Sequence, residues 1–180
     1  MSVKRIYVEK KPEYAVEAKH LLWEIRHILL IKSVTGLRLL NRYDVEGVSD
    51  ELWTRSLPIV FFEPQLDEHY DAMPKGGDAV FAVEYLPGQY DQRAASCEEC
   101  IQLVGQCDRP TVRTARVYLL EGSFTADELA RVKKHVINPV ESRGPSWARR
   151  PRCISSTPPR TAWRPSRASL PWTRSRWTPS

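Results

Sequence analysis

The sequence predicts an α+β fold in which helices cover mainly antiparallel sheets. The first reason is the order of β-prone and helical segments, which runs strand, helix, strand, helix and then repeats. The second is an internal repeat at an offset of 75 residues, with nine identities over 60 ungapped positions, where chance gives about three or four. The third is the composition, which at 42% hydrophobic and 27% charged residues is that of a globular chain.

The first half of the chain is predicted to alternate strands with helices. β-prone residues mark the strands, and apolar residues at helical spacing, among them Leu22, Ile25 and Leu29, mark the main helix. Ser49 is expected to cap a short second helix. The predicted elements are strands over 5–9, 37–43 and 59–62, and helices over 13–29 and 50–57.

The second half repeats this plan after a polar segment, 65–78, whose proline and glycines are typical of a linker. Gly105 is expected to end the first helix of this half. Thr125 and Glu128 form a capping box before the second helix, which Pro139 closes. The predicted elements are strands over 80–84 and 111–120, and helices over 90–104 and 126–138.

The repeat defines the predicted domain organisation. The copies run from about residue 3 to 64 and from about 79 to 140, inside one duplicated domain over 1–143. Two such sheets are expected to pack around a pseudo-two-fold axis. No apolar run approaches the ~18 residues of a membrane span, no signal peptide is recognised, and a cytoplasmic location is expected.

Residues 144–180 have a different composition. Arg, Pro, Ser, Thr and Trp make up 30 of these 37 residues, and acidic residues are missing from them. Without this tail the chain has 19 basic and 22 acidic residues, a net charge of −3. The tail is expected to be disordered, because such chains bury too little apolar surface to offset their ordering entropy. The alternative is RNA binding, since Arg interleaved with Trp suits phosphate contact and base stacking.

Cysteines and histidines give weak signals for chemistry. Cys97 and Cys100, with Cys107 nearby, allow a metal-site interpretation, but zinc sites usually need four well-spaced ligands. In the repeat, Cys97 aligns with Leu22 and Cys100 with Ile25, so both cysteines are predicted to be buried as small hydrophobes. The histidines are scattered and no glycine-rich phosphate loop is recognised. No catalytic, metal-binding or cofactor-binding residue is therefore assigned.

Polar residues on the two long strands form the most informative set. Two arginines on one strand cannot both lie unpaired in an apolar core. They are either solvated or they meet acidic groups across an interface, and the sequence leaves both interpretations open. The candidate interface residues are Asn41, Arg42, Asp44, Arg113 and Arg116.

Four segments resemble the N-terminal region of the large, single-chain phosphoribosylformylglycinamidine synthase. In that family the region corresponds to a fused pair of copies of a small subunit that is a separate protein in other bacteria. The resemblance covers about residues 1–143 and agrees with the internal repeat. The segments are LNRYDVEG at 40–47, AVEYLPGQYDQR at 82–93, RPTVRTARVY at 109–118 and VINPVE at 136–141.

The resemblance implies a structural role in an enzyme of purine synthesis. The family converts formylglycinamide ribonucleotide to the amidine, using ATP, Mg and ammonia from glutamine. The resemblance places these reactions in a synthetase domain and a glutaminase domain, which would be this region's partners, so no catalytic residue carries over. Whether the chain has an enzymatic activity of its own stays uncertain, and the expectation is that it has none. No membrane or specific nucleic acid is an expected partner.

The tail can be tested against the genetic code. One restored nucleotide in plausible codons for 144–148 changes GPSWA to EAELG, and the new frame continues as an ordinary acidic and aliphatic sequence. We therefore expect that the chain is truncated, with a frameshift after about residue 143. The alternative to the docking role is a free-standing interaction or small-molecule-sensing module, because duplicated α+β sheets can bind ligands at their pseudo-symmetric interface.

Overall fold

The computed structural model describes residues 3–138 and the backbone of a short strand at 142–143. These residues form one sheet with helices on one side, which confirms the α+β prediction. The tail over 144–180, for which disorder was predicted, lies outside the described residues. The strands are β1 (Lys4–Lys10), β2 (Val34–Glu46), β3 (Asp67–Tyr70), β4 (Ala79–Tyr85), β5 (Thr111–Gly122) and β6 (Ser142–Arg143). The helices are α1 (Val16–His27), α2 (Asp50–Ser56), α3 (Gln92–Gly105) and α4 (Ala126–Val136).

The two halves share a single sheet, with the strand order β3-β1-β2-β5-β4-β6 and antiparallel pairing. The prediction of two packed sheets is therefore wrong. The long strands β2 and β5 pair from Gly36–Glu121 to Glu46–Thr111. This pairing satisfies the backbone groups that each strand would otherwise expose at an open edge.

The strand register follows the 75-residue offset throughout the sheet. Tyr7 of β1 faces Arg42 of β2. The residues 75 positions later, Ala82 of β4 and Val117 of β5, also face each other. The outer strands show the same relation, because Glu9 of β1 faces Glu68 of β3, and Glu84 of β4 faces Arg143 of β6, again 75 positions later. At the centre, Asn41 faces Arg116, and these two residues are equivalent in the repeat. The pseudo-two-fold axis of the sheet therefore passes through the Asn41–Arg116 pair.

The helices follow an offset of 76 residues. Ala18 and Ile25 are the buried residues of α1. The residues 76 positions later, Ala94 and Ile101, are buried on α3. One extra residue between β4 and α3 thus shifts the second helix by one position. As a result Cys97 is buried as predicted, whereas Cys100 is exposed and its predicted burial is wrong.

The core lies between the sheet and the helices, as two clusters on either side of the axis. One cluster packs α3 and α2 on β1, β2 and β5. The other packs α1 and α4 on β2, β5 and β4. The first contains Ile6, Val8, Tyr43, Val45, Phe61, Ala94, Cys97, Ile101 and Val112, and the second Ile25, Ile31, Val34, Phe81, Tyr118, Leu120 and Val132.

Three local predictions are wrong. The apolar run 59–62 is not a strand, because Leu57–Phe61 forms a π-helical turn that packs Phe61 against Tyr43, with ring centroids 5.2 Å apart. The segment taken as a linker contains β3, a polar edge strand, and a charged edge resists pairing with other chains. Gly105 is the last residue of α3, and the left-handed position after the helix belongs to Gln106, at φ 47°.

Candidate functional site

The five candidate interface residues lie near the centre of the sheet but on both of its faces. Side chains alternate along a strand, and Tyr43, Val45, Val112 and Tyr118 point toward the helices. Asn41 and Arg116 share that face. Arg42, Asp44 and Arg113 point to the opposite face, called the far face below. The sequence placed these residues on the correct strands but did not separate them into two sites.

On the far face, Asp44 lies between two arginines. Its neighbours across the sheet are Arg5 on β1 and Arg113 on β5. Arg5 donates two hydrogen bonds to the Asp44 carboxylate, and one of them, from Nη2 to Oδ2, measures 2.8 Å. Hydrogen bonding to Asp44 raises the pKa of the Arg5 guanidinium. Both side chains are nearly buried, so this is a partly desolvated ion pair.

Arg42 is the most buried charged residue of the far face, with 3% of its surface exposed. Its Nη2 lies 3.3 Å from Glu84 Oε2, and its Nε lies 3.5 Å from Asp44 Oδ2. Nε and Nη1 nevertheless lack a hydrogen-bond partner. A buried N–H group without an acceptor costs about 1–3 kcal/mol. The carboxylates therefore balance the charge of Arg42 without satisfying all of its donors.

Equivalent positions on the far face are paired differently in the two halves. In the first half, Arg38 donates to both carboxylate oxygens of Glu9, with Nε 2.9 Å from Oε1. The equivalent residues of the second half are Arg113 and Glu84. Glu84 contacts Arg42, and the buried Nε of Arg113 has no hydrogen-bond partner. Two arginines of the far face, Arg42 and Arg113, thus have N–H groups that still need acceptors.

An apolar cluster lies beside these charges on the far face. It consists of the five buried residues Tyr7, Leu40, Ala82, Val117 and Leu119. Tyr70 and Met73, from β3 and the segment after it, pack against the cluster. The far face is therefore apolar toward this segment and charged toward Asp44 and Arg113.

On the helix side, a cleft of about 330 Å³ opens next to the pseudo-two-fold axis. Arg116 lies in its wall and pairs with Glu17 of α1, with Nη1 2.5 Å from Oε1. Thr114 donates to Asp91, which also accepts from the backbone N–H of Ala94 and so caps α3. The lining residues are Asn41, Val83, Glu84, Tyr85, Arg93, Thr114, Ala115, Arg116, Tyr118, Val136 and Asn138.

Arg93 gives the cleft a second guanidinium group. The Tyr43 hydroxyl lies close enough for Arg93 to influence it, although burial dominates and raises the pKa of Tyr43 to about 12. Asn41 Oδ1 is buried and has no hydrogen-bond partner. The cleft thus combines the Arg93 guanidinium with the ion-paired Arg116 and an unused acceptor, an arrangement suited to a small polar molecule that carries one carboxylate or phosphate group.

Several residues of these sites were not singled out from the sequence. Glu84 could have been found there, because it is identical to Glu9 at the equivalent position of the repeat. Arg5 and Glu17 carry no such signal. They reach Asp44 and Arg116 only through the strand register and the position of α1.

The cysteines contribute no assigned chemistry. Burial raises the pKa of the Cys97 thiol to about 12, which keeps it protonated and a poor nucleophile near neutral pH. Within residues 3–138, no group of three or more His, Cys, Asp and Glu side chains is placed to hold a metal ion.

Comparison with models of protein families and with curated protein sequences found no match to this chain. Within the described part of the chain, no helix has the length and apolar character required to cross a membrane. The fold and the geometry of the two sites therefore carry the functional argument.

Proposed function

We propose that this chain is the N-terminal docking region of a phosphoribosylformylglycinamidine synthase. In this role it holds the synthetase and glutaminase domains in their relative positions, and it acts in the cytoplasm. ATP, Mg and glutamine would be bound by those other domains, so this region would contribute geometry rather than catalytic groups. The four resembling segments and the duplicated strand register support the assignment.

The observation that carries the proposal is the unmet hydrogen-bonding capacity of the far face. Arg42 Nε, Arg42 Nη1 and Arg113 Nε are buried donors without acceptors. Each such group lowers the stability of the isolated chain. Because these groups are buried, a change of arginine side-chain conformation must accompany docking; carboxylates or backbone carbonyls of the synthetase domain would then satisfy them, and the directional hydrogen bonds would position the domain.

A reconstitution experiment tests the docking role. The full chain is mixed with the synthetase and glutaminase proteins of a bacterium whose small subunit is separate, prepared without that subunit. We expect the chain to co-elute with them in size-exclusion chromatography. The Arg113→Met variant should weaken this binding at least about tenfold, a difference of about 1.4 kcal/mol.

Arg131→Met is the matched control, because Arg131 is an exposed arginine of α4 that donates to the Leu29 carbonyl. It should bind like the unmodified chain. Circular dichroism and melting temperatures establish that both variants are folded. Failure of the unmodified chain to bind, or equal binding by Arg113→Met, contradicts the proposal.

The cleft favours a second candidate function, the sensing of a small molecule at the pseudo-symmetric interface. Arg93 and Arg116 are spaced along its wall, with the unsatisfied Oδ1 of Asn41 between the two halves. The test is a thermal shift of the chain alone with inorganic phosphate and with succinate. A rise in melting temperature that Arg93→Met removes and Arg131→Met retains would favour sensing over docking, and no shift with either compound would argue against it.

A further inference from the structure

The outer side of α1 presents an exposed stripe that the docking role of the far face does not use. It consists of Val16, His20, Trp23 and His27, four residues at successive intervals of four, three and four. This is the spacing of a coiled-coil seam. Val16 is 70% exposed and Trp23 is 51% exposed. The buried residues of the helix, Ala18 and Ile25, lie on its other side.

Apolar exposure is concentrated around this helix. Of the ten exposed large hydrophobic residues between positions 3 and 138, five lie between positions 14 and 30, so they form a patch rather than the scattered exposure that is normal for protein surfaces. Ile28 and Leu30 continue the patch beyond the C-terminal end of α1, with 58% and 72% of their surfaces exposed.

The rings of the stripe are stacked on one another. The Trp23 ring centroid lies 4.9 Å from that of His27 and 6.3 Å from that of His20, with interplanar angles of 18° and 23°. His27 Nδ1 also lies 2.9 Å from the Trp23 carbonyl oxygen. These contacts hold the indole in place, so little side-chain entropy remains to be lost when a partner covers it.

The second half shows that the fold does not require this stripe. The equivalent positions on α3, at the helical offset of 76, are Gln92, Ser96, Glu99 and Leu103. Three of these four are polar. The same helix in the same surroundings therefore tolerates a polar outer side, and the exposed aromatic stripe of α1 needs a separate explanation.

The charges beside the stripe define what can cover it. Lys19 and Arg26 line one flank, and both are exposed. The acidic residues of the other flank are engaged within the chain, Glu17 with Arg116 and Glu24 with His135. With Arg116 included, three basic and two acidic side chains surround the stripe, which leaves a net charge of +1 (3 − 2). A second copy in antiparallel contact would bring these lysine and arginine side chains together, which disfavours antiparallel self-association through this surface.

We propose that the outer side of α1 binds an amphipathic helix of a partner protein, with an apolar seam flanked by glutamate or aspartate. Trp23 is the anchor, because a large ring at the centre of a helix–helix contact dominates binding energy. Lys19 and Arg26 select acidic flanks over basic ones. The site is independent of the far face, so Arg113→Met leaves it unchanged.

A pair of designed peptides tests the proposal on the full chain. Both are three-heptad helices with leucine at the seam positions. One carries glutamate at the flanking positions and the other carries lysine. Fluorescence anisotropy of the labelled peptides measures binding. We expect the glutamate peptide to bind at least about tenfold more tightly than the lysine peptide, with the preference reversed in the K19E/R26E double variant.

Trp23→Ala should reduce binding of the glutamate peptide by more than about tenfold. Leu103→Ala, at an exposed position of α3, is the matched control and should have no effect. Circular dichroism checks the fold of each variant. Absent binding, equal binding of both peptides, or binding that survives Trp23→Ala overturns the proposal. A dimer in analytical ultracentrifugation that Trp23→Ala dissociates would assign the surface to a second copy, and this too overturns it.

Discussion

The two halves of the sheet share a backbone but differ in their surfaces. Their strands keep one offset, and a glycine at positive φ lies at the C-terminal end of both β2 and β5, Gly47 and Gly122. Their first helices both lead into a left-handed residue that is not glycine, Leu30 at φ 59° and Gln106 at φ 47°. The backbone of the repeat is thus preserved down to unusual conformations.

The side chains on this common backbone have diverged. On the far face, Glu9 and Arg38 form a complete ion pair, whereas the equivalent Glu84 contacts Arg42 and leaves Arg113 Nε without an acceptor. On the outer helix surfaces, an aromatic stripe on α1 corresponds to a mainly polar one on α3. Positions with the same contacts in both halves serve the fold, and positions whose contacts differ between the halves are the candidates for binding.

The largest expected effect tests the equivalence of the two cores. Ile25 and Ile101 are both fully buried and occupy the same position of α1 and α3. Ile25→Ala and Ile101→Ala should each lower the free energy of unfolding by about 2–5 kcal/mol, because each leaves a cavity. Urea denaturation measures this loss, and the exposed Leu103→Ala should stay within about 0.5 kcal/mol of the unmodified chain. A near-neutral Ile101→Ala would break the equivalence.

A second pair of variants separates positions that the repeat aligns. A Cβ atom at Gly122 would lie 2.1 Å from the Ser33 carbonyl oxygen, whereas at Gly47 the nearest atom is 3.7 Å away. Gly122→Ala should cost about 3 kcal/mol, from overpacking added to left-handed strain. Gly47→Ala should cost about 1 kcal/mol, from strain alone. Equal losses in urea denaturation would contradict this local difference.

A smaller effect of opposite sign is expected at the end of α3. Gln106 has the left-handed conformation that glycine adopts without penalty. Gln106→Gly should therefore stabilise the chain by about 1 kcal/mol and raise its melting temperature, whereas the β-branched Gln106→Val should lower it. If both variants melted at the same temperature, the left-handed conformation at this position would be wrong.

The smallest effect distinguishes the helix caps at Ser49 and Thr125. The backbone N–H of Thr125 donates to Glu128 and lowers the pKa of that carboxyl below its ordinary value of 4.5. The bond therefore stabilises the fold fully above the unfolded-state pKa, and this contribution disappears as the pH falls through the lower folded-state pKa. Glu128→Gln should be less stable than the unmodified chain at pH 7, with the difference vanishing in acid.

Ser49→Ala is the control for that pH dependence. The Ser49 side chain accepts a hydrogen bond from Leu52, the residue equivalent to Glu128, which has no carboxyl to titrate. Its cost of about 1 kcal/mol should therefore stay constant over the same pH range. Thermal melts at several pH values compare the two variants. A Glu128→Gln difference that persists in acid would exclude the carboxylate as its cause.

Much of the local structure was predictable because it depends on neighbouring residues. Apolar spacing located α1, and Ser49, Thr125 and Glu128 marked two helix starts that the hydrogen bonds confirm. The run 59–62 was ambiguous, because a short apolar segment suits a buried strand or a buried helical turn equally well. β3 was missed because an edge strand with one neighbour does not need an apolar sequence.

The candidate site was predictable only as a set of strand residues. Asn41, Arg42, Asp44, Arg113 and Arg116 were selected because the two arginines of one strand cannot both lie unpaired in an apolar core. Their division between the cleft and the far face follows from the strand alternation within one shared sheet. Arg5 and Glu17 became partners of Asp44 and Arg116 through contacts between residues 39 and 99 positions apart in the chain.

From sequence patterns alone came the order of the elements apart from β3 and the helical turn at Leu57–Phe61, the repeat and its offset in the strands, and the helix caps, all of which depend on local spacing. The joining of the halves into one sheet, the axis through Asn41 and Arg116, and the one-residue shift of the helices emerged only in the folded chain. The pairing of β2 with β5 depends on backbone hydrogen bonds between distant segments, and every residue except proline can form these bonds. No pattern within either strand could therefore have specified its partner.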